Sequence, residues 1–153
     1  TSSNQTISSA AILGASSTIP ANALPNKIVE LYFNIPSISI DNGNSVTIDL
    51  RYGTTTIATC SGTNSTGSAA SGSGYAKGYL WGSSTSTAQL GTVSLQYING
   101  GFNSTVKFYC YNIGGGTEAM NVSKAVSLYM TYTSGNLTVA GGYVNLMTTS
   151  TNP

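Results

Sequence analysis

The sequence predicts an all-β protein, an immunoglobulin-like β-sandwich with a detached N-terminal strand. Three observations carry this expectation. Apolar residues recur at every second position in almost every segment, the period of a strand with one buried face. β-branched and aromatic residues fill those runs, as strands prefer. Breaks rich in Asn and Gly separate the runs, and eight or nine short strands can be counted with no helix.

The first run is "NQTISSAAILGASSTIP", residues 4–20. Taking every second residue gives Ile7, Ser9, Ala11, Leu13, Ala15, Ser17 and Ile19, mostly apolar, while the set between them is mostly small or polar. Pro20 to Pro25 then separate this strand from everything that follows. The chain therefore divides into a tail and linker at 1–26 and a β-sandwich head at 27–153. In the head, "KIVELYFNIP" puts Val29, Leu31, Phe33 and Ile35 on one face. "NSVTIDLRY" does so with Val46, Ile48, Leu50 and Tyr52. "FNSTVKFYC" aligns Phe102, Val106, Phe108 and Cys110. "EAMNVSKAVSLYMTY" aligns Met120, Val122, Val126, Leu128, Met130 and Tyr132. The breaks agree with these boundaries. "DNGN" at 41–44 and "NGG" at 99–101 offer Asn-Gly pairs that tolerate positive φ, as tight hairpins need. "GGG" at 114–116 and "TSGN" at 133–136 read as further breaks, and Gly141–Gly142 as a bulge or bend. The longest loop is expected at 61–74.

Composition narrows the function. The 153 residues suit one domain, or one domain with an arm, and 40% hydrophobic residues allow a core. Charged residues make up only 6%, against about 25% in ordinary soluble proteins. Net charge is +1, which argues against nucleic acid or an anionic membrane as partner. No apolar run reaches the length of a membrane-spanning helix, and the start "TSSNQ" reads as a mature N-terminus after signal removal.

An enzyme is not expected. Histidine is absent, and Glu30, Asp41, Asp49 and Glu118 are the only acids. Nothing in their spacing pairs two of them across a cleft, and each reads as a strand or turn residue facing solvent. No cofactor or metal is expected. Lys27, Lys107 and Lys124 lie in strand-like runs, where an isopeptide crosslink or simple projection into water are the alternatives. Cys60 and Cys110, without any histidine, make a poor zinc site. A disulfide between them is expected, with two buried thiols as the alternative, and it would imply an oxidising location. Asn-X-Ser/Thr acceptors occur at Asn4, Asn64, Asn103, Asn121 and Asn136. Asn103 and Asn121 lie out of phase with their apolar faces, and Asn64 and Asn136 in loop or turn segments, so all are candidate glycan sites. With so few carboxylates to protonate, the fold is expected to tolerate acid.

A charge-poor, Ser/Thr/Asn/Tyr-rich, sequon-bearing β-domain with a detached first strand resembles the subunits of archaeal donor-strand-complemented filaments. Thread filaments of Sulfolobus-type archaea are closest in kind, archaeal bundling pili are similar, and chaperone–usher pilins are an architectural analogue. The resemblance is one of layout over the whole chain. It departs from type IV pilins, which begin with a long apolar helix. It implies an extracellular, N-glycosylated filament for adhesion or biofilm formation, whose identical subunits join head to tail. The donor strand would then place Ile7, Ala11, Leu13, Ala15 and Ile19 against a neighbour's core. The alternative for the strand is that residues 6–19 pair within their own sandwich. The alternatives for the protein are a monomeric secreted carbohydrate-binding or adhesin domain, or a viral coat or surface-layer component. In the first of these, Tyr75, Tyr79 and Trp81, which alternate on one face, would form a sugar platform; they could equally be core.

Overall fold

The alternating runs become two antiparallel sheets packed face to face. The computed structural model describes residues 5–7, 10–13, 16–64, 70–83, 87–99, 106–132, 135–139 and 142–148. Its strands are β1 (Gln5–Ile7), β2 (Ala10–Ile12), β3 (Ser17–Ile19), β4 (Lys27–Ile40), β5 (Ser45–Tyr52) and β6 (Thr55–Thr63). They continue with β7 (Ala70–Gly82), β8 (Gln89–Asn99), β9 (Val106–Gly116), β10 (Lys124–Tyr132), β11 (Gly135–Val139) and β12 (Gly142–Thr148). No helix occurs among the described residues. The larger sheet runs β1-β11-β4-β7-β8-β9, with β12 also on β4. The smaller runs β2-β10-β5-β6, with β3 also on β10.

The core is built from the residues that the alternation selects. Val29, Leu31, Phe33 and Ile35 of β4, Val46, Ile48, Leu50 and Tyr52 of β5, and Val126, Leu128 and Met130 of β10 are all buried. Each such side chain contributes about 1.5–3 kcal/mol by leaving water. β4 then changes phase. Its register against β7 shifts between Ile35 and Ile38, so one extra residue bulges out at Pro36. Ile38 and Ile40 are thereby returned to the core, and Pro36 and Ser37 lie exposed. A proline inside a central strand is tolerated there because it has no ladder bond to lose.

On the opposite edge of β4, β11 pairs residues 37–40 and β12 pairs residues 27–33, in one continuous register. Of the bulge or bend expected at Gly141–Gly142, Gly142 is the first residue of β12, and residue 141 lies outside the described residues.

Several sequence expectations change. The "DNGN" turn, with Gly43 at φ 78, does not close a hairpin: it carries the chain from β4 in one sheet to β5 in the other. "GGG" at 114–116 is not a break but the end of β9. A Cβ on Gly114 would collide with the Ile57 backbone, so glycine lets β9 close against β6. The 61–74 loop is shorter than expected, because Ser61–Thr63 finish β6 and residues 70–74 already belong to β7. Val122 is exposed rather than buried, because β10 starts only at Lys124. Phe102 lies outside the described residues, as do residues 100–101 of "NGG" and 133–134 of "TSGN".

Candidate functional site

The N-terminal arm is the first site. β1 pairs antiparallel with β11 of the larger sheet. β2 and β3 then pair with β10 of the smaller sheet, on the edge opposite β5. One short arm thus borders both sheets, and within the single chain it borders its own. Leu13 is completely buried, and its N–H donates to the Leu128 carbonyl at 2.9 Å. Ile19 is buried, Ala11 packs half-buried against the core, and Ile12 faces out. This is the phase that the sequence predicts for Ala11, Leu13 and Ile19. Ala15 lies outside the described residues, and Ile7 is placed by its backbone alone.

Ile12 stands opposite Tyr129 and Ser17 opposite Val126; residues 14 and 15 between them lie outside the described residues. The segment after the arm is less of a free linker than its prolines suggest. Leu24 is fully buried, and the N–H of Asn26 donates to the Gly82 carbonyl at 3.0 Å. Asn22 and Asn26 both take left-handed backbone, φ 60 and 57, which asparagine accepts more readily than most residues. Pro20–Ala23 is itself held to the head: the Asn22 N–H donates to the Met120 carbonyl at 2.7 Å and the Ala21 N–H to the Ser123 hydroxyl at 3.2 Å. A lone leucine inside "PANALP" was the signal available for the Leu24 anchor.

The second site is the outer face of the larger sheet. Tyr75, Tyr79 and Trp81 project there rather than into the core, alternating with buried Ala76, Gly78 and Leu80. Tyr32 of β4 joins them, with its ring centroid 5.8 Å from Tyr75 and 5.6 Å from Tyr143 of β12, all nearly parallel. Tyr79 and Trp81 lie 5.8 Å apart. Glu30 and Lys77 pair at 3.1 Å in the middle of this face, and the Tyr79 hydroxyl donates to Glu30 at 3.0 Å. Burial opposes the Glu30 charge, but the hydrogen bonds from Lys77 and Tyr79 outweigh it and hold the carboxyl below its usual range. Tyr79 and Glu30 hold the Lys77 ammonium above its own. Tyr32 and Tyr143 were not singled out from the sequence. Their spacing within their own strands is unremarkable, and only the β4–β12 register brings them together.

The cysteines form a disulfide. Cys60 on β6 and Cys110 on β9 have Cα atoms 5.7 Å apart, and the bond ties the edges of the two sheets together. The Asn112 amide donates to the Thr59 carbonyl at 2.7 Å beside it.

The glycan candidates separate. Asn121 is exposed in a bend. Asn64 is only 6% exposed, and its amide nitrogen, the atom that would carry a glycan, donates to the Ile40 carbonyl at 2.7 Å. Its backbone also holds the 41–44 turn through Gly43 and Asn44, so it serves as a clamp rather than the open loop residue expected. Asn136 falls in β11, placed by its backbone alone, and Asn4 and Asn103 lie outside the described residues.

The remaining acids also have structural partners. Glu118 accepts from Thr54 of the β5–β6 turn and from Thr55 at the start of β6, and pairs with Lys124 at 2.7 Å. Lys124 is thereby engaged in an ion pair. Asp49 accepts from Arg51 and Thr59, both at 2.8 Å. No group of three potential metal ligands occurs among the described residues.

No protein-family model matches the sequence, and no curated protein matches it. A solved structure with some likeness is the CBM2 module of the evolved Dit of Lactobacillus casei BL23 phage J-1. It is 9% identical over 85% of this chain and 68% of that one, at a TM-score of 0.28, too low to carry an argument.

Proposed function

We propose that this chain is a structural subunit of an extracellular filament, in which the arm of one copy occupies the edges that border β10 and β11 of the next. The observation that carries this reading is the arm's attachment. Among the described residues it pairs through three short strands of three residues each, and Pro20–Ala23 joins it to the anchor at Leu24. Moving it into an identical groove on a neighbour exchanges equivalent contacts, so the exchange has a low energetic cost. The arm and the groove are different surfaces, so one-way donation from each copy to the next is heterologous and open, whereas reciprocal exchange would close a dimer. Repeating the one-way donation builds a fibre. The disulfide and the exposed acceptor Asn121 support an oxidising, extracellular setting with attached glycan.

Cysteine trapping tests the exchange. Ile12 and Tyr129 are cross-strand partners. The double variant Ile12→Cys/Tyr129→Cys, oxidised after assembly, should run as a ladder of multimers on a non-reducing gel. A single monomer band of fully oxidised protein would refute the filament reading.

A further inference from the structure

The outer face of the larger sheet has no part in the arm exchange, and its chemistry is selective. The register lines up Tyr143, Tyr32, Lys77, Ser94 and Tyr111 in one row across five strands. Tyr75 stacks on this row from one side, while Glu30 and Tyr79 flank it on the other. Tyr143 and Tyr111 are about half exposed, at 48% and 51%. The face is unlike the rest of this Ser/Thr-rich surface in concentrating aromatic rings, yet it is not simply apolar. Tyr75 donates to Gln96 at 2.7 Å, and Glu30 and Lys77 neutralise one another.

We infer that this face binds a neutral, hexopyranose-containing glycan. Aromatic rings offer flat apolar surface to the C–H face of a sugar ring, and their polar tips stay wet. The phenols, the amides and the Glu30–Lys77 pair supply donors and acceptors for sugar hydroxyls. The paired charges leave the face without net charge. An uncharged polyol complements it, whereas a polyanion or a basic peptide finds no opposite field. The inference holds for a single subunit and does not depend on polymerisation.

Trp81 is the only tryptophan in the chain, and it lies beside Tyr79 on this face, so its emission reports the site directly. The probes are β-1,4-glucohexaose, β-1,3-glucohexaose and α-mannohexaose, titrated into the full chain. At least one should shift Trp81 emission saturably and release heat in calorimetry. Tyr143→Ala and Tyr32→Ala should each weaken that binding about tenfold, with the thermal transition of Tyr143→Ala unchanged. Unmoved emission and no heat with all three sugars would overturn the inference. So would a Trp81 shift that follows protein concentration without sugar and disappears in Tyr143→Ala, which would make the face a contact between copies. Loss of the cysteine ladder with sugar binding intact would overturn only the filament.

Discussion

Glu118 gathers the Thr54 and Thr55 donors and the Lys124 ammonium onto one carboxylate, and these bonds hold it down to about 2. Its ordinary value is 4.5. A carboxyl depressed by folding stabilises the protein above the unfolded value and loses that contribution as pH falls through the folded one. The contribution is therefore complete above about pH 4.5 and disappears toward pH 2. Glu118→Gln should cost about 2–3 kcal/mol at pH 7 and flatten the stability profile between those limits. Urea titrations from pH 7 to pH 2 read both effects, and an unchanged acid limb in the variant would refute the assignment. Glu118 is thus an exception to the acid tolerance expected from composition: its protonation removes stability from the fold as pH falls toward 2. Asn64 makes a second residue-scale case. Removing its amide leaves the buried Ile40 carbonyl without that donor, so Asn64→Ala should cost about 1–3 kcal/mol in chemical denaturation. In glycopeptide mass spectrometry of native material, Asn64 should be bare and Asn121 available. Glycan on Asn64 in folded protein would contradict the clamp.

At the scale of elements, the bulge at Pro36 decides which way the end of β4 faces. Deleting Ser37 removes the extra residue, and Ile35, Ile38 and Ile40 then alternate inward without a bulge. The core face should survive, with the denaturation midpoint close to wild type. A loss of about 3–6 kcal/mol, the burial of Ile38 and Ile40, would show that the bulge itself is needed. The disulfide acts between elements too, closing a separation of 50 residues between β6 and β9. Its reduction should cost about 4 kcal/mol on chain-entropy grounds, and neither thiol should label without reductant. These elements also show what was legible in the sequence. Period-2 alternation is a local signal, so the buried faces of β4, β5 and β10 could be read directly from it. The phase change at Pro36 could not, because a bulge is defined against a partner strand. "GGG" read as a break because glycine usually marks one, whereas here it serves a close approach to Ile57 that only the packed sheets reveal. The aromatic face was half legible: Tyr75, Tyr79 and Trp81 share one strand, while Tyr32 and Tyr143 meet them through pairing across strands distant in sequence.

For the whole molecule, the question is whether the arm's contacts close within one chain or run between chains. Both arrangements bury Leu13 and Ile19 against Leu128 and its neighbours on β10, so stability alone does not separate them. Polarity does. A head-to-tail subunit has two distinct roles: its groove accepts one arm, and its own arm enters another groove. Leu13→Asp abolishes donation, because the arm would carry an unpaired charge into a fully buried site. Its groove is unaltered and still accepts a wild-type arm. Such a subunit joins a growing filament and then stops it. In mixtures, mean filament length in negative-stain micrographs should fall steeply as the fraction of Leu13→Asp rises, even while wild-type protein remains in excess. The single-chain arrangement predicts otherwise. There, the variant destabilises only itself, and any assembly of the wild type proceeds with undiminished length. Lengths independent of the variant fraction would therefore refute strand donation. A graded shortening would show that the arm of one copy completes the sheets of the next.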